Sequence, residues 1–117
     1  KLNFASSNLG RADLSAGNLQ NTILRDVDAP GADFSRSNMH IAVLDGANLD
    51  FANFENTDLS NASLIDANLS NANLTGADLT GAVFTGAYLM GATMPDGEPY
   101  NSDTDLSKFT NLIIPSS

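Results

Sequence analysis

Twenty residues decide the fold: Ala62-Ser63-Leu64-Ile65-Asp66-Ala67-Asn68-Leu69-Ser70-Asn71-Ala72-Asn73-Leu74-Thr75-Gly76-Ala77-Asp78-Leu79-Thr80-Gly81. Four times in succession a small residue is followed two places later by Leu, and the cycle closes after five residues. The register extends in both directions without a slip. Every fifth position from Phe4 to Met94 is Leu, Phe or Met, nineteen sites in all, with Ala29 the one exception. Ala, Ser, Thr or Gly stands two places before the large residue in seventeen of the nineteen units, the others being Leu2 and Val27. A strict short period of this kind means one small unit stacked on itself.

A period of five fits neither a helix nor a flat strand. The small and large residues of a unit are two apart, so both point to the same side of a short extended segment. The remaining positions are rich in Asn, Asp, Ser, Thr and Gly, which favour corners. A unit this small cannot bury its own apolar pair; coils must stack and hydrogen-bond to one another. The residue before the large one is Asn or Asp in thirteen of nineteen units, and aliphatic only at Ile23, Val43 and Val83. Those three are 20 and 40 apart. Four units per coil would put them on one face, one above another.

Runs such as Ala47-Asn48-Leu49 and Ala67-Asn68-Leu69-Ser70-Asn71 to Ala77-Asp78-Leu79-Thr80-Gly81 resemble the A(D/N)LXX unit of the pentapeptide-repeat family. The resemblance covers about residues 1–95. It implies an all-β protein, a right-handed quadrilateral parallel β-helix of about 4.75 coils, in agreement with the 20-residue spacing. The run Gly91-Ala92-Thr93-Met94-Pro95-Asp96-Gly97 resembles the ends of cyanobacterial members. The predicted organisation is a repeat solenoid over 1–95 and a turn, short helix and tail over 96–117 that cap it. Pro95-Asp96-Gly97 reads as the turn out of the last coil. Ser102 or Asp103 is the expected helix N-cap, with Asp105 near the start and Lys108 near the end, and Leu106, Phe109 and Ile113 form its apolar face. Within the solenoid, Val27 and Ala29 exchange volume between adjacent small and large sites, and Pro30 predicts a locally altered corner. At the other end Leu2 occupies a site that elsewhere holds a small residue. Either residues upstream of Lys1 were removed or this end docks on another chain, so the expected state is a monomer or an end-to-end homodimer through the N-terminal coil.

The 117 residues carry a net charge of −9 and no Cys, which rules out disulfides and thiolate metal sites. Residues 37–107 hold ten acids and no Lys or Arg. Such a surface repels nucleic acid and anionic membranes and suits a basic protein partner. No run approaches a membrane span. The compartment stays open: cytoplasmic, or periplasmic or thylakoid-luminal if a leader once preceded Lys1.

No catalytic constellation, cofactor loop or metal-ligand set is evident, and none is expected. His40, the one histidine, falls at a polar corner and reads as a surface residue. Asp13/Asp33 and Asp58/Asp78 should stack, but a pair of carboxylates supplies too few oxygens for calcium. Arg25 and Asp45 should stack as an exposed ion pair. The candidate interaction surface consists of outward apolar residues: Ile23, Val43, Ile65 and Val83 on one face, with Ile41 at the preceding corner, and Tyr88 and Met90 on the next face. Two readings remain for it, a protein partner or cover by the chain's own Leu112-Ile113-Ile114. The favoured function is a non-enzymatic structural or protein-interaction module. The alternative implied by the family is a DNA-mimicking regulator of a type II topoisomerase (gyrase). Ten acids match the charge of a short duplex, but a rod of roughly 23 Å spans only about seven base pairs.

Overall fold

The structure, a computed structural model, describes residues 2–111. Fifteen parallel bridges link residues 20 apart, from Asn3–Ile23 at one end to Asn73–Thr93 at the other. Each coil therefore has four sides, and each side is one repeat unit. We number the faces by their first segments: first (2–4), second (7–9), third (12–14) and fourth (17–19). The corner that follows each face takes the same number.

The unit 47–51 shows why five residues suffice. The Ala47 N–H donates to the Leu44 carbonyl across the preceding corner, at 3.0 Å. Asn48 donates one coil back, to Val27 (2.8 Å), while Leu49 and Phe51 donate one coil forward, to Asn68 (2.8 Å) and Ser70 (2.9 Å). The fifth N–H, of Asp50, has its partner in the Asn48 side chain, whose Oδ1 accepts it at 3.3 Å. Twelve of the thirteen Asn and Asp residues at this position make that bond to the N–H two residues on. It is an Asx turn, and it accounts for the Asn/Asp preference of the repeat. Asp28 is the exception, because residue 30 is proline and has no N–H to give; Asp28 Oδ1 accepts from Asn48 Nδ2 instead (3.1 Å). The corner at Pro30 keeps its ordinary course: Gly31 has φ +67°, and the Ala32 N–H still reaches the Ala29 carbonyl. Loss of the Asx bond, rather than a new turn, is what proline changes here.

Every corner from Ser6 to Gly91 places its second residue at positive φ. Asn and Asp tolerate this conformation and glycine adopts it freely. The two choices are coupled between coils. A Cβ on Gly46 would collide with Oδ1 of Asp26 one coil below, and Gly81 stands in the same relation to Asn61. Asn56/Gly76, Asp66/Gly86 and Asn71/Gly91 repeat the pairing. In these five stacks the Asx side chain occupies the space that a Cβ above it would need; Ile41 over Asn21 departs from the pairing.

Inside, the large residues form four columns. Leu24, Leu44 and Leu64 line the first, Leu49 and Leu69 the second, Phe34, Phe54 and Leu74 the third, Met39, Leu59 and Leu79 the fourth, and all are buried. Phe34 and Phe54 stack with centroids 5.0 Å apart. Val27 and Ala29 are both fully buried, so the exchange of volume between them leaves no gap to solvent. Thr57 Oγ1 reaches the Phe34 carbonyl at 2.8 Å, which lets a hydroxyl sit in the small column.

The chain leaves the last coil through a turn in which the Gly97 N–H donates to the Met94 carbonyl. Residues 98–100 then run back over the edge: Pro99 pairs antiparallel with Thr93, and the Tyr100 N–H donates to the Ala92 carbonyl. A single helical turn, α1 (Ser107–Thr110), follows. Its Thr110 carbonyl accepts the Gly81 N–H (2.7 Å), which would otherwise need a further coil. Tyr100, Leu106 and Phe109 pack on the core from above. The helix is shorter than the sequence suggests. Leu106 is its N-cap and makes no side-chain bond, whereas Ser102 and Asp103 lie outside it. Asp105 accepts the Ser107 N–H (3.0 Å), and Lys108 pairs with Asp96 (3.0 Å). Ile113, expected on its apolar face, lies outside the described residues.

Leu69→Asp should abolish cooperative folding, since it puts an unpaired charge in a closed column, while Asn68→Ala should cost only about 1 kcal/mol. Comparable thermal melts for the two would overturn the inward assignment. A second expectation concerns the cap. The Lys108 ammonium, then the Glu98 N–H, holds the Asp96 carboxyl below its ordinary 3.8. The Ser107 hydroxyl, then the Ser107 N–H, does the same for Asp105. Because both folded values are depressed, their stabilisation is complete above 3.8 and is lost as pH falls through the lower folded values. In a Tyr88→Phe background Tyr100 is the sole tyrosine. Its emission should hold steady from neutral pH down to 3.8 and change below it, and Asp96→Asn should flatten that change.

Candidate interaction surface

The first face departs from the Asx rule. Its outward ladder reads Asn3, Ile23, Val43, Ser63, Val83. Four of the six units that lack Asn or Asp in the whole repeat are here, Tyr88 and Thr93 being the others. The consequence is local and physical. Among the described residues no acceptor meets the N–H of Arg25, Asp45 or Thr85, and these are left to water. Above Asp45 the bond is rescued from below: Asp45 Oδ1 accepts the Ile65 N–H (3.1 Å) and the Ser63 hydroxyl (2.5 Å). That second role also explains why Asp45 does not pair with Arg25, the ion pair expected from their stacking. Among the described residues the one ion pair is Lys108–Asp96.

Ile23, Val43 and Val83 are half-buried in one column. Ile65 stands at the first corner, 36 % exposed, and Ile41 at the fourth corner, 38 % exposed, so both edges of the face carry an aliphatic residue. Ile41 does so at φ +54°, a left-handed conformation that a β-branched residue adopts only under strain. At the top the face runs into a cavity of about 240 Å³ between Val83, Phe84, Leu106 and Thr110. The predicted cover, Leu112-Ile113-Ile114, lies outside the described residues. Tyr88 and Met90 are the most exposed of the predicted residues, at 66 % and 78 %, but they belong to the second face and second corner and do not join this patch. Sequence reasoning missed Phe51, an exposed aromatic at the second corner with φ +60°. It shares an open depression with Arg11, Pro30 and Asp50. An aromatic in a column otherwise filled by Arg11, Gly31, Asn71 and Gly91 was the available signal.

His40 is tied down more firmly than a free surface residue. Its Nδ1 lies 3.0 Å from the Ser60 carbonyl and 2.9 Å from Ser60 Oγ. A carbonyl only accepts, so Nδ1 carries the proton. The Ser60 hydroxyl in turn donates to Asp58 Oδ1 (2.6 Å). Serine, histidine and aspartate are together, yet the serine is in the middle and the imidazole nitrogen facing it is a donor. A nucleophile-activating triad needs the imidazole between the other two as an acceptor. This trio pins a corner and does not build a nucleophile. Asp13/Asp33 and Asp58/Asp78 do stack in the ladders. Among the described residues no three His, Asp or Glu groups converge as a metal site.

Reversing the Asx rule tests the cost of the first face. Val43→Asn should melt at or above the wild-type temperature, because the new side chain can accept the Asp45 N–H. Asn53→Val, on the third face, should lose about 1 kcal/mol with the Glu55 N–H bond. Differential scanning calorimetry of the pair decides it: Val43→Asn destabilised as much as Asn53→Val would make the apolar column a stability device.

Comparison with known proteins accords with this geometry. The profile described as pentapeptide repeats matches in eight copies, over residues 3–40, 42–81 and 57–95. No curated protein matches the chain in sequence. Among solved structures, HetL, a pentapeptide repeat protein involved in heterocyst differentiation regulation from the cyanobacterium Nostoc sp. strain PCC 7120, is 38 % identical with a TM-score of 0.61. That match covers 84 % of this chain and 51 % of HetL, so the chain spans about half of HetL's length. A second pentapeptide repeat protein from Nostoc is 33 % identical over 85 % of this chain and 81 % of its own, with a TM-score of 0.61. One from the Arabidopsis thaliana thylakoid lumen is 25 % identical over 87 % of this chain and 67 % of its own, with a TM-score of 0.64. The match is to a repeat module, with no enzyme family indicated. No helix among the described residues is long and apolar enough to cross a membrane. The four-sided coil, the five-residue register and these matches lead to one assignment: the chain belongs to the pentapeptide repeat family and folds as its right-handed quadrilateral β-helix.

Proposed function

We propose that this protein is a non-enzymatic interaction module and that its working surface is the first face, bearing Ile23, Val43, Ile65 and Val83. One observation carries the reading: this face alone gives up the Asx bonds repeatedly, at Ile23, Val43 and Val83, and exposes aliphatic groups in their place. Each such bond is worth about 1 kcal/mol. A local rule broken on one side by three aliphatic residues marks a surface kept for contact.

The alternative, imitation of a DNA duplex, finds less support in the placement of charge. Asp26, Asp45 and Asp66 are at the first corner, Asp50 at the second, Glu55 at the third, and Asp58 and Asp78 on the fourth face. Acids that circle the rod do not reproduce two phosphate tracks along one groove.

A photo-crosslinking residue such as benzoylphenylalanine at position 43, compared with the same residue at position 53, tests the reading in extract of the source organism. Discrete adducts should form from position 43 and not from position 53. Identical adducts from both, or none from position 43, would remove the first face as the working surface.

A further inference from the structure

We infer that the partner segment received by the first face is an amphipathic helix of another protein, lying along the solenoid axis with Lys or Arg residues on one flank. This deepens the reading of the first face as the working surface and rests on it. The spacing of the apolar groups is the first ground. Successive coils are about 4.8 Å apart, close to the 5.4 Å pitch of an α-helix. One apolar contact is available at each level: Ile23, then Val43 with Ile41, then Ile65, then Val83. Ser63 causes no gap, because its hydroxyl is held down by Asp45 and Ile65 supplies the aliphatic group at that height. A helix with apolar residues on successive turns meets these levels in order, and its last large side chain meets the cavity below α1.

Charge fixes the flank and favours a basic helix over a second copy of this chain. Along the first corner Asp26, Asp45 and Asp66 border the face, with Arg25 the one base among them. Along the fourth corner the neighbours are Gln20, Asn21, His40, Ser60, Asn61 and Thr80, none an acid. The acids at the edges of the face are therefore on one side, with Asp58 and Asp78 set back on the fourth face, and a helix with cations on one flank has a favoured orientation. A second copy of this face offers Arg25 as its one base against Asp26, Asp45 and Asp66, whereas a Lys- or Arg-flanked helix meets all three.

The probe is a fluorescein-labelled helical peptide of about four turns, with a Leu stripe and Lys along one flank, titrated against the full chain by anisotropy. Its counterpart carries Glu in place of Lys. Saturable binding of the Lys peptide is expected, weakening with salt, and at least about tenfold weaker in Ile23→Asn/Val43→Asn/Val83→Asn. The Glu peptide should not bind. Asp26→Asn/Asp66→Asn keeps the side-chain shape above which Gly46 and Gly86 fit. It should weaken binding and blunt its salt dependence even if the triple variant fails to fold. Equal binding of both peptides, equal binding by the variants, or no binding by the wild type overturns the inference. So does binding that emerges only once residues 112–117 are deleted, because the face is then the seat of the chain's own end. If the Lys peptide fails while position 43 still crosslinks specifically, the helix chemistry is wrong and the surface stands. If both fail, the surface falls too.

Discussion

Each repeat unit brings five backbone N–H groups; the neighbouring coils provide carbonyls for three of them and the preceding corner for a fourth. The fifth depends on the side chain at the second position of the unit, where Asn or Asp turns back on its own backbone, as Asn48 does on Asp50. Buried and half-buried donors have to be paired, so this shortage shapes the whole sequence. It makes Asx the default ladder residue. It explains why Asp28 is redirected toward Asn48 when proline removes the donor. It also turns each apolar ladder residue into a measurable sacrifice. The hydrophobic columns supply the driving force of folding, but they are nearly alike on all four sides. The side-chain acceptor is what distinguishes one face from another.

The same accounting separates what was legible in the sequence from what was not. The period of five, with exceptions spaced by 20, led to four-sided coils because both numbers are properties of the chain alone. The core needed nothing more, since Leu49, Leu69 and Phe54 point inward by register. The apolar face was visible for the same reason, through Ile23, Val43 and Val83. Spacing assigns a residue to a column, however, and does not say which way its side chain turns. Asp45 stacks over Arg25 as expected, yet its carboxylate turns to Ser63 and the Ile65 N–H, whose need is local and immediate. Likewise the pairing of Asp26 with Gly46, or Asn61 with Gly81, is written at a 20-residue separation, but its meaning depends on a side-chain direction that only coordinates provide. The cap was read in outline and misplaced in detail: one short turn serves, because a single carbonyl, that of Thr110, meets the need of Gly81.

The corners carry the remaining individuality. Asn, Asp and Gly accept the left-handed backbone at little cost, so the chain has an inexpensive choice at every corner. Six corners decline it, and Ile41 and Phe51 are the two that do so with a large apolar residue. Both are exposed and neither fills the core, which places their strain on the surface and not in the packing. Ile41 borders the first face and belongs with its chemistry. Phe51, beside Arg11 and Asp50, individualises the opposite side of the first coils in the same manner.

A four-sided coil with five residues per side makes the identity of a surface a matter of counting. Adding or removing one unit anywhere below Val83 would keep the five-residue register and the backbone ladder, but would re-pair corners such as Asp26 with Gly46 and carry Val83 round to a neighbouring face. Only changes in steps of 20 residues preserve which side chains share a wall. A lineage of such chains can therefore lengthen freely as a scaffold while being locked to whole coils as soon as one wall acquires a use. The indel record of relatives would then divide into quarter-turn steps where no wall matters and full-turn steps where one does.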